Sequence, residues 1–479
     1  MELRKNQVKP VEIGLNFLRQ KKANPSIIVA PTAFGKSIVI AKLAKELNEK
    51  LLILQPSKEL LEQNFTKYTK LGGVASIYSA SFNSKHISSV TYATIGSIKG
   101  IGARFKELGF TKMIIDEAHL YPRNADSMLG GFLRDSGITH VLGLTATPLK
   151  LQQNSDREGN TFSKLVMLTS RSKLGNFFKD IIYVSQIQEM VDLKFWAKLE
   201  YEQYIIDEGK LVFNSTKAEY TEESLRAVYE SNDIFNKVVN KVSDLKDRKS
   251  ILVFVPSVAE AKQLQDVIPN SYAVYSGMPT KERDFVIKGF KNLSIRVIIN
   301  VNILSVGFDH PELDCIICAR PTASLSWLYQ ALGRLTRIHE NKKDGLIVDF
   351  SGNVKRFGRI ELIEVVKENV WKIYGEGGKL LSGVPMHEIG LHTKDSENRM
   401  ISEKLLSDVQ KAKKDEEEKN KPITMPFGKY AGTELKQIPK GYRDWMLREF
   451  KWTYPSSDRI KKELERICQE ENHASEVPI

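Results

Sequence analysis

Short apolar runs, each followed by a polar turn and then by helical periodicity, recur along most of the chain. Ile27-Ile28-Val29 reads as a parallel strand buried on both faces. Behind it, Ile40, Leu43, Ala44 and Leu47 return at helical spacing between Ile38 and Leu47. Leu51-Leu52-Ile53-Leu54 is a second strand, and Gln55 to Leu60 opens a helix. Val90 to Thr94 is another strand end. Met113-Ile114-Ile115 and Val141-Leu142-Gly143-Leu144 are buried strands. The rhythm weakens from 149 to about 230, where Gln152 to Asn160 is polar loop chemistry and Tyr183 to Tyr204 reads as a connecting helix or strand. It resumes at Ile251 to Pro256, with Ala259, Ala261 and Leu264 on the next helix. Ala273 to Gly277 is a strand and turn, and Lys281 to Phe290 a helix. Arg296 to Asn300 and Asp314 to Ala319 are strands, Trp327 to Leu335 a helix, and Gly345 to Asp349 the last strand. Alternating strands and helices predict two α/β units with parallel sheets.

A chain of 479 residues exceeds one ordinary core. Its hydrophobic share of 41% and charged share of 27% are those of a globular protein, and the net charge of +12 favours a polyanionic partner. Of three cysteines, Cys315 and Cys318 are spaced like metal ligands. They lie in an apolar strand with no second pair, so core cysteines are expected and a reducing cytoplasm fits. The first residues open no apolar signal region, and no apolar run is long enough to span a bilayer.

The chemistry sits at strand ends. Ala30-Pro31-Thr32-Ala33-Phe34-Gly35-Lys36-Ser37 lies between a strand and a helix, the context of a phosphate-binding loop. Its backbone N–H groups and the helix N-terminus cradle phosphate. Lys36 reaches the outer phosphates, and the Ser37 hydroxyl holds Mg²⁺. Ala30 stands where the pattern usually has glycine, which is tolerable if that position needs no positive φ. Asp116 at the end of its strand supplies the Mg²⁺ partner, and Glu117 is placed to orient or deprotonate a water. Val141 to Leu144 delivers Thr145-Ala146-Thr147-Pro148 to the same edge, since ligands gather at the carboxyl ends of such sheets. The second unit has no phosphate loop. It has Gln330, Arg334 and Arg337, which a helix would place on one face, and forked guanidinium groups suit a γ-phosphate approached from a second domain. Ahead of the loop, Arg4 and Gln7 offer a cation and an amide that can read an adenine edge.

In order, Arg4 and Gln7, Ala30–Ser37, Gln55–Leu60, Thr91–Thr94, Asp116–His119, Thr145–Pro148, Phe254–Ser257, Asn300–Asp309 and Gln330–Arg337 resemble the motif set of superfamily 2 helicases of the DEAH-type box group. Within that group the chain is similar to RadD-like bacterial repair helicases, through Val255–Leu264, Tyr275–Phe290, Asn300–Thr322 and Ile347–Gly352. UvsW-type phage helicases are near relatives. The cysteine-rich segment usual in RadD-like proteins is absent from this sequence. The resemblance implies two tandem RecA-like domains, parallel sheets flanked by helices, with ATP and Mg²⁺ in the cleft between them. It implies single-, forked- or branched-strand DNA contacts at Gln55, Pro56, Ser57, Lys58, Thr94, Pro256, Ser257, Gly277, Asn300 and Val301. Nucleotide contacts are implied at Gly307 and Asp309, and coupling at His119, Thr145 and Thr147. Single-strand-binding or recombination proteins are implied as partners, with no membrane, in the cytoplasm of a bacterial or phage-infected cell, beside the nucleoid.

Residues 376–422 change composition and end in a charge run from Lys413 to Lys421, read as a linker. Met425 begins a compact module, α+β or mainly helical, with Trp445 and Phe450 expected in its core. It is similar to a small module that ends some exonuclease chains. The expected division is motor domain one at 1–185, a connector at 186–230, motor domain two at 231–375, a linker at 376–422 and the module at 423–479. The expected activity is an ATP-dependent DNA helicase or translocase acting in repair, recombination or replication. An RNA helicase, or an ATPase switch that does not unwind, remains as an alternative.

Overall fold

The computed structural model describes residues 2–121, 127–155, 158–159, 161–170, 177–215, 217–301, 303, 309–389, 391, 423–452 and 457–474. The chain divides into two compact units, 1–395 and 396–479. Among the described residues no helix is long and apolar enough to cross a membrane.

The first unit holds two sheets. Strands β1 (Ser26–Val29), β2 (Leu51–Leu54), β3 (Ser76–Ser79), β4 (Ser84–Lys85), β5 (Val90–Ala93), β6 (Lys112–Ile115) and β7 (His140–Thr145) belong to the first, joined after a hairpin, β8 (Leu149–Ser155) and β9 (Thr161–Met167), by β10 (Asp180–Val184). Their spatial order is β10-β1-β7-β6-β2-β5-β3-β4, parallel throughout except for the short β4 at the edge. This order explains how distant motifs meet. β1, β7 and β6 are neighbours, so the loops after Val29, Thr145 and Ile115 open side by side on one edge. Gly143 on β7 is required by packing, because a Cβ there would lie 2.8 Å from the Phe178 ring and 2.9 Å from Ala118.

The second sheet takes β11 (Leu199–Gln203), β12 (Ile251–Phe254), β13 (Ser271–Tyr275), β14 (Val297–Val301), β15 (Cys315–Cys318) and β16 (Gly345–Asp349), all parallel, in the order β11-β16-β15-β12-β14-β13. Strand alternation divides its side chains between two cores: Ile347 packs into the larger cluster shared with the first sheet, Leu346 and Val348 into a separate cluster on the other face. Cys315 and Cys318 are free and fully buried.

Four expectations change. The segment expected to connect the sheets contributes β11 to the second one, pairing Leu199–Gln203 with Gly345–Asp349. The polar stretch from Gln152 is half strand, because β8 and β9 pair antiparallel from Leu149↔Met167 to Ser155↔Thr161. The helix expected to reach Leu335 ends at Leu332. Residues 376–389, expected in a linker, are folded back on the β8–β9 hairpin. There the Gly383 N–H donates to the Leu165 carbonyl at 2.6 Å, after a hairpin of β17 (Glu364–Lys367) and β18 (Trp371–Tyr374). Val365 exchanges hydrogen bonds with the Gln186 amide at 2.7 and 3.1 Å, and Trp371 Nε1 donates to Asp180 at 3.1 Å. The rest of that linker, 392–422, lies outside the described residues.

The second unit packs the helices Lys440–Glu449 and Ser457–Ala474 around Met425, Leu435, Ile438, Met446, Leu464 and Ile467. It is mainly helical, and its core is aliphatic. Phe450 is only partly buried and stacks on Phe427, while Trp445 is 47% exposed, contrary to the expectation that both fill the core.

Buried His310 tests the packing of the second sheet. Its Nε2 shares a 2.9 Å hydrogen bond with Ser250 Oγ. Burial pushes its pKa down to about 4, with Lys291 and Lys342 acting the same way and Glu312 and Asp309 opposing. An unfolded histidine titrates near 6.5, so below that pH the unfolded chain binds the extra proton and the fold loses stability as pH falls towards 4. Melting temperature should therefore drop across this window, and His310→Gln should flatten the drop. Parallel pH curves for the two proteins would refute the assignment.

Candidate functional site

The loop after β1 is shaped by two left-handed residues, Ala33 (φ 57°) and Gly35 (φ 88°), around the buried ring of Phe34. Gly35 must be glycine, because a Cβ would sit 2.5 Å from Gln7 Nε2 as well as in a disfavoured conformation. Ala30 is under no such demand. Its φ is not positive, and its N–H donates to the Thr145 carbonyl at 2.9 Å, continuing the β1–β7 ladder. The helix Lys36–Leu47 follows directly, so its first N–H groups open onto the loop.

Opposite the loop stand the two carboxylates from the end of β6. Lys36 Nζ lies 3.2 Å from Glu117 Oε1, with both side chains nearly buried. Glu117, itself left-handed at φ 45°, donates its N–H to Asp116 Oδ1 at 3.0 Å. Burial, and then the Glu117 charge, hold the Asp116 pKa above the usual carboxylate range, against the pull of Lys36 and of two hydrogen bonds. One of these comes from Asn64, whose Nδ2 donates to Asp116 Oδ2 at 2.8 Å and to Gln55 Oε1 at 2.9 Å. His119 Nδ1 shares a 2.8 Å hydrogen bond with Thr145 Oγ1, which also accepts the Thr147 N–H at 3.1 Å. The first sheet's adjacent loops are thus wired together through side chains.

The second sheet closes the cleft. Tyr329 OH accepts the Thr32 N–H at 3.4 Å, Trp196 Nε1 donates to the Thr32 carbonyl at 3.0 Å, and a Cβ on Gly333 would come within 2.6 Å of Thr32 Oγ1. Arg334 and Arg337 lie past the helix end rather than on its face, in the turn after Gly333. Burial, then the neighbouring Arg337 charge, push the Arg334 pKa down to about 9, and burial also lowers that of Arg337. Two guanidinium groups in so dry a place favour an incoming anion. Arg337 Nε contacts Asp309 Oδ1 at 2.9 Å, and Gln63 Nε2 reaches across from the first sheet to Asp309 Oδ2 at 3.1 Å. The cavity so enclosed measures about 500 Å³ and is lined by Arg4, Lys36, Ser37, Asp116, Gln330 and Arg334 among others. Gln330 Nε2 and Thr32 Oγ1 are buried there without a hydrogen-bond partner among the described residues. Volume, cations and orphan polar atoms fit a nucleoside triphosphate. Ser37 and Asp116 fit a divalent cation that draws its other ligands from phosphate and water.

Not every expected contact is available. Gln7 is buried, and both ends of its amide are in use: Nε2 donates to the Phe34 carbonyl at 2.7 Å and Oε1 accepts the Arg4 N–H at 2.9 Å. It braces the loop. Arg4 lies over the Phe195 ring at 4.8 Å and donates to the Ala33 carbonyl at 3.3 Å, at the cavity rim. Of the expected strand contacts, Lys58 and Gly277 reach solvent, and Pro56, Ser57, Thr94 and Ser257 do so in part. Pro256 and Val301 are buried. Gln55 and Asn300 are fully buried, with Gln55 turned to Asn64 and Asn300 Oδ1 accepting the Ile303 N–H at 3.3 Å. Both amides spend their oxygens inside the fold. Gly307 lies outside the described residues.

Gln63, Asn64, Trp196 and Tyr329 escaped the motif reading. Asn64 left a signal. On the helix Lys58–Lys70 the buried residues are Leu61, Asn64 and Tyr68, so an amide occupies the apolar stripe at helical spacing. A polar group there needs a buried partner.

Residues 1–150 match the family described as type III restriction enzyme, res subunit, and residues 233–339 match the helicase conserved C-terminal domain. Residues 419–464 match a family provisionally described as a quorum-sensing-regulated virulence factor. The chain is similar to a protein provisionally named helicase 22 of the Sulfolobus islandicus filamentous virus, at 27% identity over 67% of this chain and 60% of that one. It is similar to one provisionally named ATP-dependent helicase IRC3 of Saccharomyces cerevisiae, at 26% over 73% of this chain and 51% of that one. A third relative is the DNA 3'-5' translocase XPB2 of Sulfurisphaera tokodaii, at 24% over 73% of this chain and 81% of that one. The chain thus spans 51% to 60% of the length of the first two. In fold it resembles the DNA-bound ATP-dependent Type ISP restriction-modification enzyme LlaBIII, with a TM-score of 0.52, 18% identity and coverage of 73% of this chain and 28% of that one. Both helicase-type modules occur in this order around one cleft, and the two parallel sheets have the fold of tandem RecA-like domains.

Proposed function

We propose that the chain converts ATP hydrolysis in this cleft into movement along DNA, or remodelling of it, at single-stranded, forked or branched sites, as a DEAH-type and RadD-like motor in repair, recombination or replication. The observation that carries the reading is that one cavity is lined by Lys36 and Asp116 from the first sheet and by Gln330 and Arg334 from beside the second. Occupancy of such a cavity changes how firmly two sheets hold each other, and alternating grip is how a two-domain motor steps. The DNA assignment is supported by similarity to a DNA translocase.

In this mechanism Lys36 leaves Glu117 for the phosphates, which frees Glu117 to take a proton from the attacking water. Arg334 and Arg337 stabilise charge that develops on the transferred phosphoryl group, and Gln330 positions it. A divalent cation, when bound at Ser37 and Asp116, would neutralise phosphate charge. Asn64 carries the signal between strand and nucleotide. It ties Asp116 to Gln55, and Gln55 precedes Ser57, which caps the helix bearing Asn64 by accepting the Leu60 N–H at 3.3 Å. Thr145 and Thr147 join His119 to the same edge.

ATPase assays with single-stranded DNA, forked DNA and RNA, beside strand displacement on a fork, test the proposal. Stimulation by DNA with displacement is expected. Stimulation by RNA alone would make it an RNA helicase, and stimulation without displacement an ATPase switch.

Lys36→Ala should abolish turnover and leave nucleic-acid binding without ATP intact. Glu117→Gln should keep ATP binding and lose at least about tenfold in turnover, the lower end of a general base's contribution being somewhat above that. A smaller loss would remove Glu117 from the chemistry.

Asn64→Leu keeps the volume and removes the donor. Since that hydrogen bond lowers the Asp116 pKa, its loss should raise the pKa, and the acid limb of the pH–rate profile should move to higher pH. Stimulation by DNA should fall more than basal turnover. An unmoved acid limb with both rates reduced equally would mean that Asn64 only supports the fold.

A further inference from the structure

The second unit keeps three aromatic rings out of its core. Met425, Leu435, Ile438, Met446, Leu464 and Ile467 fill the interior, while Tyr430, Tyr442 and Trp445 form a continuous row beside it, with centroids 4.8 Å and 5.4 Å apart. Trp445 ends the row and is 47% exposed, the one tryptophan among the exposed large hydrophobic residues described. A single exposed ring is ordinary, but a contiguous row ending in a half-exposed indole is a surface that another flat, apolar group can extend.

The charges around the row are mostly positive. Lys429 Nζ lies 5.7 Å from the Tyr430 ring centre. Lys440 and Arg448 are exposed on the helix Lys440–Glu449, which also bears Tyr442 and Trp445 three residues apart on one face. Arg448 follows Trp445 by the same interval. Besides the buried Arg443, residues 423–452 hold five cations (Lys429, Lys436, Lys440, Arg448 and Lys451) against three carboxylates (Glu434, Asp444 and Glu449). Asp444 is half-buried and accepts a hydrogen bond from Cys468 Sγ at 3.7 Å.

We infer that this row is a stacking platform for the bases of a single nucleic-acid strand, with Lys429, Lys440 and Arg448 drawing in its phosphates. Rings that stack with any base, flanked by cations that meet the backbone, are what sequence-tolerant strand binding requires. Charge complementarity favours a polyanion over an apolar protein surface. The inference rests on the nucleic-acid reading of the motor, because a strand held by the motor is presented to a covalently attached second site at high effective concentration. The platform adds grip without taking part in ATP chemistry.

The test uses the full-length chain and a thymidine oligonucleotide carrying 5-iodouracil, which photo-crosslinks to rings stacked on it. Adducts mapped by mass spectrometry should fall on Trp445 or Tyr442. Trp445→Ala should abolish them and weaken oligonucleotide affinity about tenfold, within the range for one base–aromatic stack. Trp445→Phe, which retains a ring, should recover most of that affinity, whereas a purely structural role for the indole would leave both variants alike. Lys429→Glu should lower the salt dependence of binding by about one counterion. ATPase at saturating single-stranded DNA should be unchanged in Trp445→Ala. Adducts confined to residues 1–395, with equal affinities for the parent and Trp445→Ala, would overturn the inference. A motor unresponsive to any nucleic acid would instead overturn the reading on which it rests.

Discussion

A lysine ammonium and a carboxylate 3.2 Å apart and nearly out of water, as Lys36 and Glu117 are, satisfy one another only until a stronger anion enters. Breaking such a pair leaves a buried charge unless both partners find new ones. In the proposed reaction a nucleotide's phosphates take over Lys36 and the attacking water's proton meets Glu117, so binding and activation are two sides of one exchange. Arg337 and Asp309 repeat the arrangement across the cleft, at 2.9 Å. The site holds its charges in internal pairs that its substrate is able to separate.

The helix Lys58–Lys70 links the elements around that pair. At its N-terminus Ser57 caps the first turn, one turn further Gln63 holds Asp309 from the second sheet, and the adjacent Asn64 holds Asp116 from the first. A rigid-body shift of this helix must therefore disturb three things together: the loop ending at Ser57, the Asp116 carboxylate and the Asp309 anchor of Arg337. The second sheet contains the counterpart of its opening. After β12 the residues Val255-Pro256-Ser257 repeat the pattern of Gln55-Pro56-Ser57 after β2, and Ser257 caps its own helix by accepting the Ala259 N–H at 3.1 Å. Two similar helix starts, one on each sheet, are suited to holding a phosphate backbone alternately.

The two sheets are also tied away from the cleft. The chain leaves the second sheet after β16 and returns to the first through the β17–β18 hairpin, whose Val365 pairs with Gln186 and whose Trp371 meets Asp180. β11 crosses in the opposite sense, from beside the first sheet to the edge of the second. The two sheets are thus held at their sides as well as at the cleft, where Tyr329, Trp196 and Gly333 press on Thr32.

The buried strands, the phosphate loop and the carboxylate pair were legible in the sequence because each is a local pattern. Ile27–Val29 is apolar on both faces, Gly35-Lys36-Ser37 stands between a strand and a helix, and Asp116-Glu117 ends an apolar run. Their convergence was legible too, since parallel sheets carry their loops at one edge. Edge elements were not. β8 and β11 carry too many polar residues to register as strands, because an edge or a hairpin needs a partner more than it needs apolar faces. Helix length around Arg334 was misjudged: the helix stops at Leu332, and Gly333 then sits against Thr32, about 300 residues away along the chain. Gln7, Gln55 and Asn300 have the residue types that bind ligands, yet each is buried and bonded inside the fold, and Trp445 has the type that fills cores, yet it faces water. Side-chain chemistry is written in the residue, but the partner it finds is decided by packing between distant segments, which only the tertiary fold brings together.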